Sequence, residues 1–191
     1  LAKSLEENYE LFLLVDPQGL SLQLKATPMP GPISVDFVGG NLGHRRKFGL
    51  SRQQIFERAI GIKNKALKVI DATAGLGRDT FFLACLGCEV RAIEKNPILM
   101  ALLEDGYHRG LSNADVGKIL ADKVRLVHAD AIEYFKNLKP SDRPDVIYID
   151  PMFPEKKKTA LSPKEMQTLQ ALIGTDEDPL PLLEAALQTA T

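Results

Sequence analysis

The sequence predicts an α/β fold, a Rossmann-like doubly wound parallel sheet carrying a small β-rich extension at its amino end. Three observations carry that prediction. Short apolar, β-branched runs alternate with helix signals from about Leu67 onward, which is how a parallel sheet with crossover helices reads. Two of those runs, Val69-Ile70-Asp71 and Val146-Ile147-Tyr148-Ile149-Asp150, end on a carboxylate and then break sharply. Buried parallel strands look like this where their carboxyl ends open into a ligand crevice. The first break, Ala72-Thr73-Ala74-Gly75-Leu76-Gly77, is rich in glycine, so its backbone can approach a ligand closely.

Taken in order, Leu11–Val15 and Leu20–Leu24 flank Asp16-Pro17-Gln18-Gly19, a β-hairpin with proline and glycine where a turn uses them. Ile33–Val38 reads as a further short strand, followed by a glycine-rich and then basic loop through Gly49. Ser51–Ile60 reads as a helix, with Ser51 and Gln54 at capping-box spacing and Gly61 as its stop. The alternating part then runs strand (67–71), helix (78–86), strand (88–93), and a helix capped by Asn96 with Pro97 in its first turn. No element is assigned between Arg109 and the next strand, at 123–128. Asp130 and Glu133 open a short helix, 145–149 is the fourth strand, and Ser162-Pro163 and Asp178-Pro179 open two later helices. The expected division is an extension over 1–50 and a Rossmann-like domain over 51–191, truncated at its carboxyl end. Leu1 in place of Met, and an ending inside the apolar stretch Leu180–Ala190, motivate that expectation.

At 191 residues, 45% hydrophobic and 26% charged, the chain can bury a core and is not globally disordered. Its net charge of -1 means that any nucleic-acid surface must be local. No apolar run approaches the ~20 residues of a membrane helix, and no signal peptide is visible. The two cysteines form Cys85-Leu86-Gly87-Cys88. Gly87 fits a helix stop, which puts Cys85 on the ending helix and Cys88 at the next strand. No second CxxC or paired histidines complete a zinc site. Both cysteines therefore read as small buried hydrophobes of a cytoplasmic protein, with no metal.

The glycine loop is generic by itself. A dinucleotide fingerprint wants a third glycine where this chain has Thr80. Glu94, ending the second strand, sits where a carboxylate could hydrogen-bond ribose hydroxyls. Asp71 either shapes the glycine loop or faces the ligand. Asp79 either favours the helix start or faces the amino-acid end of a cofactor. Asp130 either contacts an adenine amine or caps a helix. The turn Asp150-Pro151-Met152-Phe153 is sharper. An exocyclic base amine is a poor nucleophile because its lone pair is delocalised into the ring. Acceptors on its hydrogens help as positive charge develops; Asp150 and the Pro151 carbonyl can be those acceptors, and Phe153 can stack on the base. The two breaks together imply an amine methyltransferase using S-adenosylmethionine. The basic clusters His44-Arg45-Arg46-Lys47 and Lys156-Lys157-Lys158 are either solvated faces or contacts to phosphates flanking the target base. His128 reads as a core or strand-end histidine, and His108 as a helix-end residue. Other readings are methylation of adenine or a protein glutamine, a nicotinamide-binding dehydrogenase domain, and a non-catalytic RNA-binding module.

In combination, Val35-Asp36-Phe37-Val38-Gly39-Gly40, His44-Arg45-Arg46-Lys47-Phe48-Gly49, Asp71–Asp79 and Asp150-Pro151-Met152-Phe153-Pro154 resemble RsmJ, the bacterial family of guanine-N2 methyltransferases of small-subunit ribosomal RNA. The resemblance extends over nearly the whole chain from about Ile33. It implies a class I methyltransferase fold, S-adenosylmethionine as donor, and the small-subunit (16S) ribosomal RNA or the small ribosomal subunit as partner. Carried over by position, it implies cofactor contacts from Arg78, Asp79, Glu94, Lys95, Asp130, Ala131 and Asp150, beside Asp71, Gly75 and Gly77 of the loop. The family commonly has small hydroxyl residues where this chain has Asp130-Ala131.

Overall fold

A computed structural model describes residues 10–27, 29–39, 58–61, 66–150, 164–174 and 178–190. The expected helix from Ser51 lies largely outside them; its end, Arg58–Ile60, is helical and stops at Gly61 with φ 74°. Four parallel strands, β3 (Lys68–Asp71), β4 (Glu89–Glu94), β5 (Val124–His128) and β6 (Val146–Tyr148), form one sheet in the order β5-β4-β3-β6. The strand order reverses beside β3, the position at which open α/β sheets bind ligands outside their carboxyl ends.

Alternation along the strands assigns the two faces. Val69 and Val90 pack into one apolar cluster, with α1 (Arg78–Cys85), α2 (Pro97–Leu111) and α3 (Ala114–Lys123). Ile70 and Ile93 pack into the other, with Ala131 and Phe135 of α4 (Ala131–Lys136) and Ala186 of α6 (Leu180–Ala190). The helix starts are set by side chains. Asn96 Oδ1 accepts from the amides of Ile98 and Leu99, and Asp130 Oδ1 from those of Ile132 and Glu133. Each satisfies amides that a helix N-terminus leaves open. Gly87, φ 90°, follows α1 as expected, and Cys88 beyond it is buried.

Two expectations on this part of the chain change. The stretch after Arg109 contains α3, capped by Asn113 Oδ1 on the amides of Asp115 and Val116. Its buried residues are Val116, Gly117 and Leu120, a one-sided spacing easily passed over in a short polar segment. Ile33–Val38 is not a strand. Ile33 makes a single bridge to Leu22, and Ile33, Val35 and Phe37 then alternate buried with exposed neighbours. The period of two is present because an extended segment lies against the helical layer. A Cβ on Gly106 of α2 would stand 2.4 Å from Val35 Cγ1, so the missing side chain makes that approach possible.

The hairpin, β1 (Leu11–Asp16) and β2 (Gly19–Leu24), pairs in the register Leu11 to Leu24. It is clasped to α2 by polar bonds. Asp105 Oδ2 accepts from the Leu20 amide at 3.1 Å and from Arg109 Nε at 2.9 Å, and Arg109 Nη2 donates to the Val35 carbonyl at 2.6 Å. Leu22, Ile33, Val35 and Phe37 share one apolar cluster with β3, β4 and α1 to α3. The last described helices are α5 (Lys164–Ile173), which packs on the hairpin, and α6, which packs on α4 and β6.

Candidate active site

The site is built at the carboxyl ends of β3, β4 and β6. β3 ends at Asp71, and the chain turns through the glycine loop into α1. Gly75 and Gly77 hold φ of 53° and 72°. A Cβ on Gly77 would lie 2.4 Å from Leu103 Cδ1 and 3.1 Å from Phe37 Cζ. The loop therefore needs glycine at 77 for its backbone conformation and for its seat on the core.

Glu94 is buried, and its carboxylate organises that loop. Oε2 accepts from the Gly75 amide at 2.8 Å, and Oε1 accepts from the Asn96 amide at 2.7 Å. It thus joins the ends of β3 and β4, and each oxygen retains a further lone pair for a ligand hydroxyl. Asp71 is also buried. It accepts from Thr80 Oγ1 at 2.6 Å and from the Thr73 amide at 3.2 Å. Burial pushes its carboxyl up to about 7, against those two hydrogen bonds, and the nearby carboxylates Asp79 and Glu94 push the same way.

Asp150 follows β6, and its amide donates to Thr73 Oγ1 in the glycine loop at 2.8 Å. One residue of the loop thereby anchors the start of the second motif. Asp79, in the first turn of α1, accepts from the hydroxyl of Tyr148 at 2.9 Å. Arg78 beside it pairs with Glu165 of α5 at 2.5 Å. Beyond the end of β5, Asp130 caps α4, and Ala131 is the first residue of that helix. His128 is exposed at the strand end, with Nε2 3.2 Å from the Lys95 carbonyl.

Asp71, Gly75, Gly77, Asp79, Glu94 and Asp150 are therefore linked, directly or through Thr73, Thr80 and Tyr148, by hydrogen bonds and loop backbone. Asp130 and Ala131 lie on the next strand connection, and the Ala129 amide donates to the Glu94 carbonyl. Pro151, Phe153, Lys156, Lys157 and Lys158, and the cluster His44, Arg45, Arg46 and Lys47, lie outside the described residues. The linking residues Thr73, Thr80 and Tyr148 were not singled out from sequence. Thr73 lies within the quoted glycine-loop segment, Thr80 was noted only as standing where a dinucleotide fingerprint has its third glycine, and Tyr148 looks like any half-buried strand residue.

A family model of SAM-dependent methyltransferases matches residues 1–191. Proteins named ribosomal RNA small subunit methyltransferase J, from Salmonella newport and Salmonella gallinarum, are each 48% identical over 187 residues, 97% of this chain and 73% of theirs. The chain belongs to this family of SAM-dependent methyltransferases. The crystal structure of a SAM-dependent methyltransferase from Neisseria gonorrhoeae has a TM-score of 0.73 at 33% identity, over 96% of this chain and 69% of that one. The methyltransferase thus has the class I fold that its strand order indicates, and its cofactor is S-adenosylmethionine.

The donor set fits that cofactor. S-adenosylmethionine carries a sulfonium and an ammonium against a single carboxylate, so it is a net cation. The strand ends and helix starts at the crevice carry Asp79, Glu94, Asp130 and Asp150, more acid than Arg78 and Lys95 offset. Such a carboxyl-rich rim at a topological switch point suits a cationic ligand with ribose hydroxyls.

Proposed function

We propose that this methyltransferase methylates the exocyclic N2 amine of a guanine in small-subunit ribosomal RNA. The observation that carries the reading is the bond from the Asp150 amide to Thr73 Oγ1. It ties the first residue of the Asp-Pro-Met-Phe motif to the loop assigned to the donor. The substrate class rests on the relatives named ribosomal RNA small subunit methyltransferase J. A ribosomal substrate would make the protein cytoplasmic, and among the described residues no helix is long and apolar enough to cross a membrane.

When bound, S-adenosylmethionine supplies an electrophilic methyl group. The chain's own residues do the rest. Glu94 accepts from ribose hydroxyls while holding Gly75 in place. Asp79 accepts from the ammonium of the amino-acid end, Asp130 and the Ala131 amide serve the adenine, and Arg78 and Lys95 border the site. Asp150 and the Pro151 carbonyl accept hydrogen bonds from the target amine. Those bonds strengthen as the nitrogen becomes cationic, so they favour the transition state over the bound substrate. Phe153 stacks on the flipped guanine. The methylated amine loses its proton readily, so no strong base is needed. His44, Arg45, Arg46, Lys47 and Lys156, Lys157, Lys158 contact phosphates around the target. The extension over 1–50 serves RNA, and the domain over 51–191 serves the donor.

The test is methyl transfer from labelled donor to small ribosomal subunits that lack the modification, with nucleosides mapped by mass spectrometry. N2-methylguanosine is expected. Label on adenosine, or on protein, would overturn the assignment of the amine.

A further inference from the structure

Asp79 lies at the amino end of α1, where it is one of the residues assigned above to the donor site. A carboxylate on the first turn of a helix is free to rotate about two side-chain bonds, and an acceptor in a binding site works best when that freedom is removed beforehand. The Tyr148 hydroxyl, 2.9 Å from Asp79 Oδ2, removes it. Tyr148 is the last residue of β6 and pairs in register with Asp71. Its carbonyl accepts from the Ala72 amide at 3.0 Å, so the backbone that carries the ring is itself fixed to the start of the glycine loop. The ring packs half-buried against the main apolar cluster. Burial above all, and then the Asp79 carboxylate, push the phenol's ionisation upward, so it remains a proton donor at every pH at which the protein works.

We propose that Tyr148 is a positioning residue for the donor: its hydroxyl holds Asp79 Oδ2 so that Oδ1 is presented to the ammonium of the amino-acid end of S-adenosylmethionine. This rests on the assignment of Asp79 to that end of the donor. Because Tyr148 is two residues before Asp150, the same strand end serves both substrates. The ring sets the donor's amino-acid end through Asp79, and the chain beyond it reaches the target amine.

The experiment uses Tyr148→Phe, which keeps the ring and its packing and removes only the hydroxyl, with Asp79→Asn as its companion. Binding of S-adenosylmethionine and of 5′-methylthioadenosine, which lacks the amino-acid portion, is measured by calorimetry. Tyr148→Phe is expected to weaken S-adenosylmethionine about tenfold and to leave methylthioadenosine within about twofold, the scale of one lost hydrogen bond to a charged group. KM for the donor rises while kcat at saturating donor stays close to that of the parent. In the double variant the Phe substitution adds little to Asn. Equal weakening of both ligands by Tyr148→Phe would overturn the proposal, since a loosened strand end does not read the amino-acid portion. If Asp79→Asn weakens S-adenosylmethionine and Tyr148→Phe does not, Tyr148 has no positioning role and the Asp79 assignment stands. If Asp79→Asn leaves donor affinity unchanged, the Asp79 assignment itself fails and takes the role of Tyr148 with it.

Discussion

Asp150 bears two loads that can be separated. Its backbone amide bonds Thr73 of the glycine loop, whereas its carboxylate is assigned to the target amine. Asp150→Ala keeps the first and removes the second. Single-turnover methylation at saturating substrate is expected to fall by roughly 10²–10³-fold, as when one preorganised acceptor or donor at a transition state is lost, with RNA affinity nearly unchanged. A near-parental rate would take the carboxylate out of the mechanism. The positions of Asp71 and Asp150 were legible in sequence because each ends an apolar run and faces a chain break, and that of Glu94 because it ends the second strand. What they bond to was not. The carboxylate of Glu94 is shared between Gly75 and Asn96, so the residue builds the loop as well as facing the crevice. That sharing depends on how far the loop folds back over β4, which no local pattern records. The Arg78–Glu165 pair and the Tyr148–Asp79 bond span 87 and 69 positions, beyond any spacing argument.

Caps and glycines made the elements readable. Asn96-Pro97, Asp130 and Gly87 mark their helix ends by chemistry that acts within a few residues. Alternation was less reliable. In Ile33–Val38 it records one-sided burial, and an extended segment lying on a helix produces the same pattern as a paired strand. The two positive-φ glycines that bracket α1 provide a contrast. At Gly87 a Cβ would meet nothing within 4 Å, whereas at Gly77 it would strike Leu103. Gly87→Ala is expected to cost about 1–2 kcal/mol, the backbone contribution alone. Gly77→Ala adds overpacking of roughly 1–3 kcal/mol and loosens the donor loop. Urea denaturation of the two variants checks this. Equal losses would mean that Leu103 yields freely, and that the loop is held by its backbone conformation only.

Across the whole molecule, Asp71 makes stability depend on pH in an unusual direction for a carboxylate. Its ordinary value is 3.8 and its folded value about 7. Between those values the folded protein holds a proton that the unfolded chain has released. This contribution is fully present below pH 3.8 and is lost as pH rises through about 7. The shift corresponds to on the order of 4 kcal/mol. Asp71→Asn removes the dependence, so the stability of the variant relative to the parent should improve between pH 5 and pH 8 in paired urea titrations. A constant difference would mean that Asp71 ionises in the fold as freely as in the unfolded chain. The clasp between the hairpin and α2 has another consequence, in the order of synthesis. Leu20 and its partner Asp105 are 85 residues apart. At ~5–20 residues per second the hairpin waits on the order of ten seconds for that carboxylate to be made. Through that interval Val35 lacks the face of α2 at Gly106 on which it packs, so an apolar segment made early is shielded late.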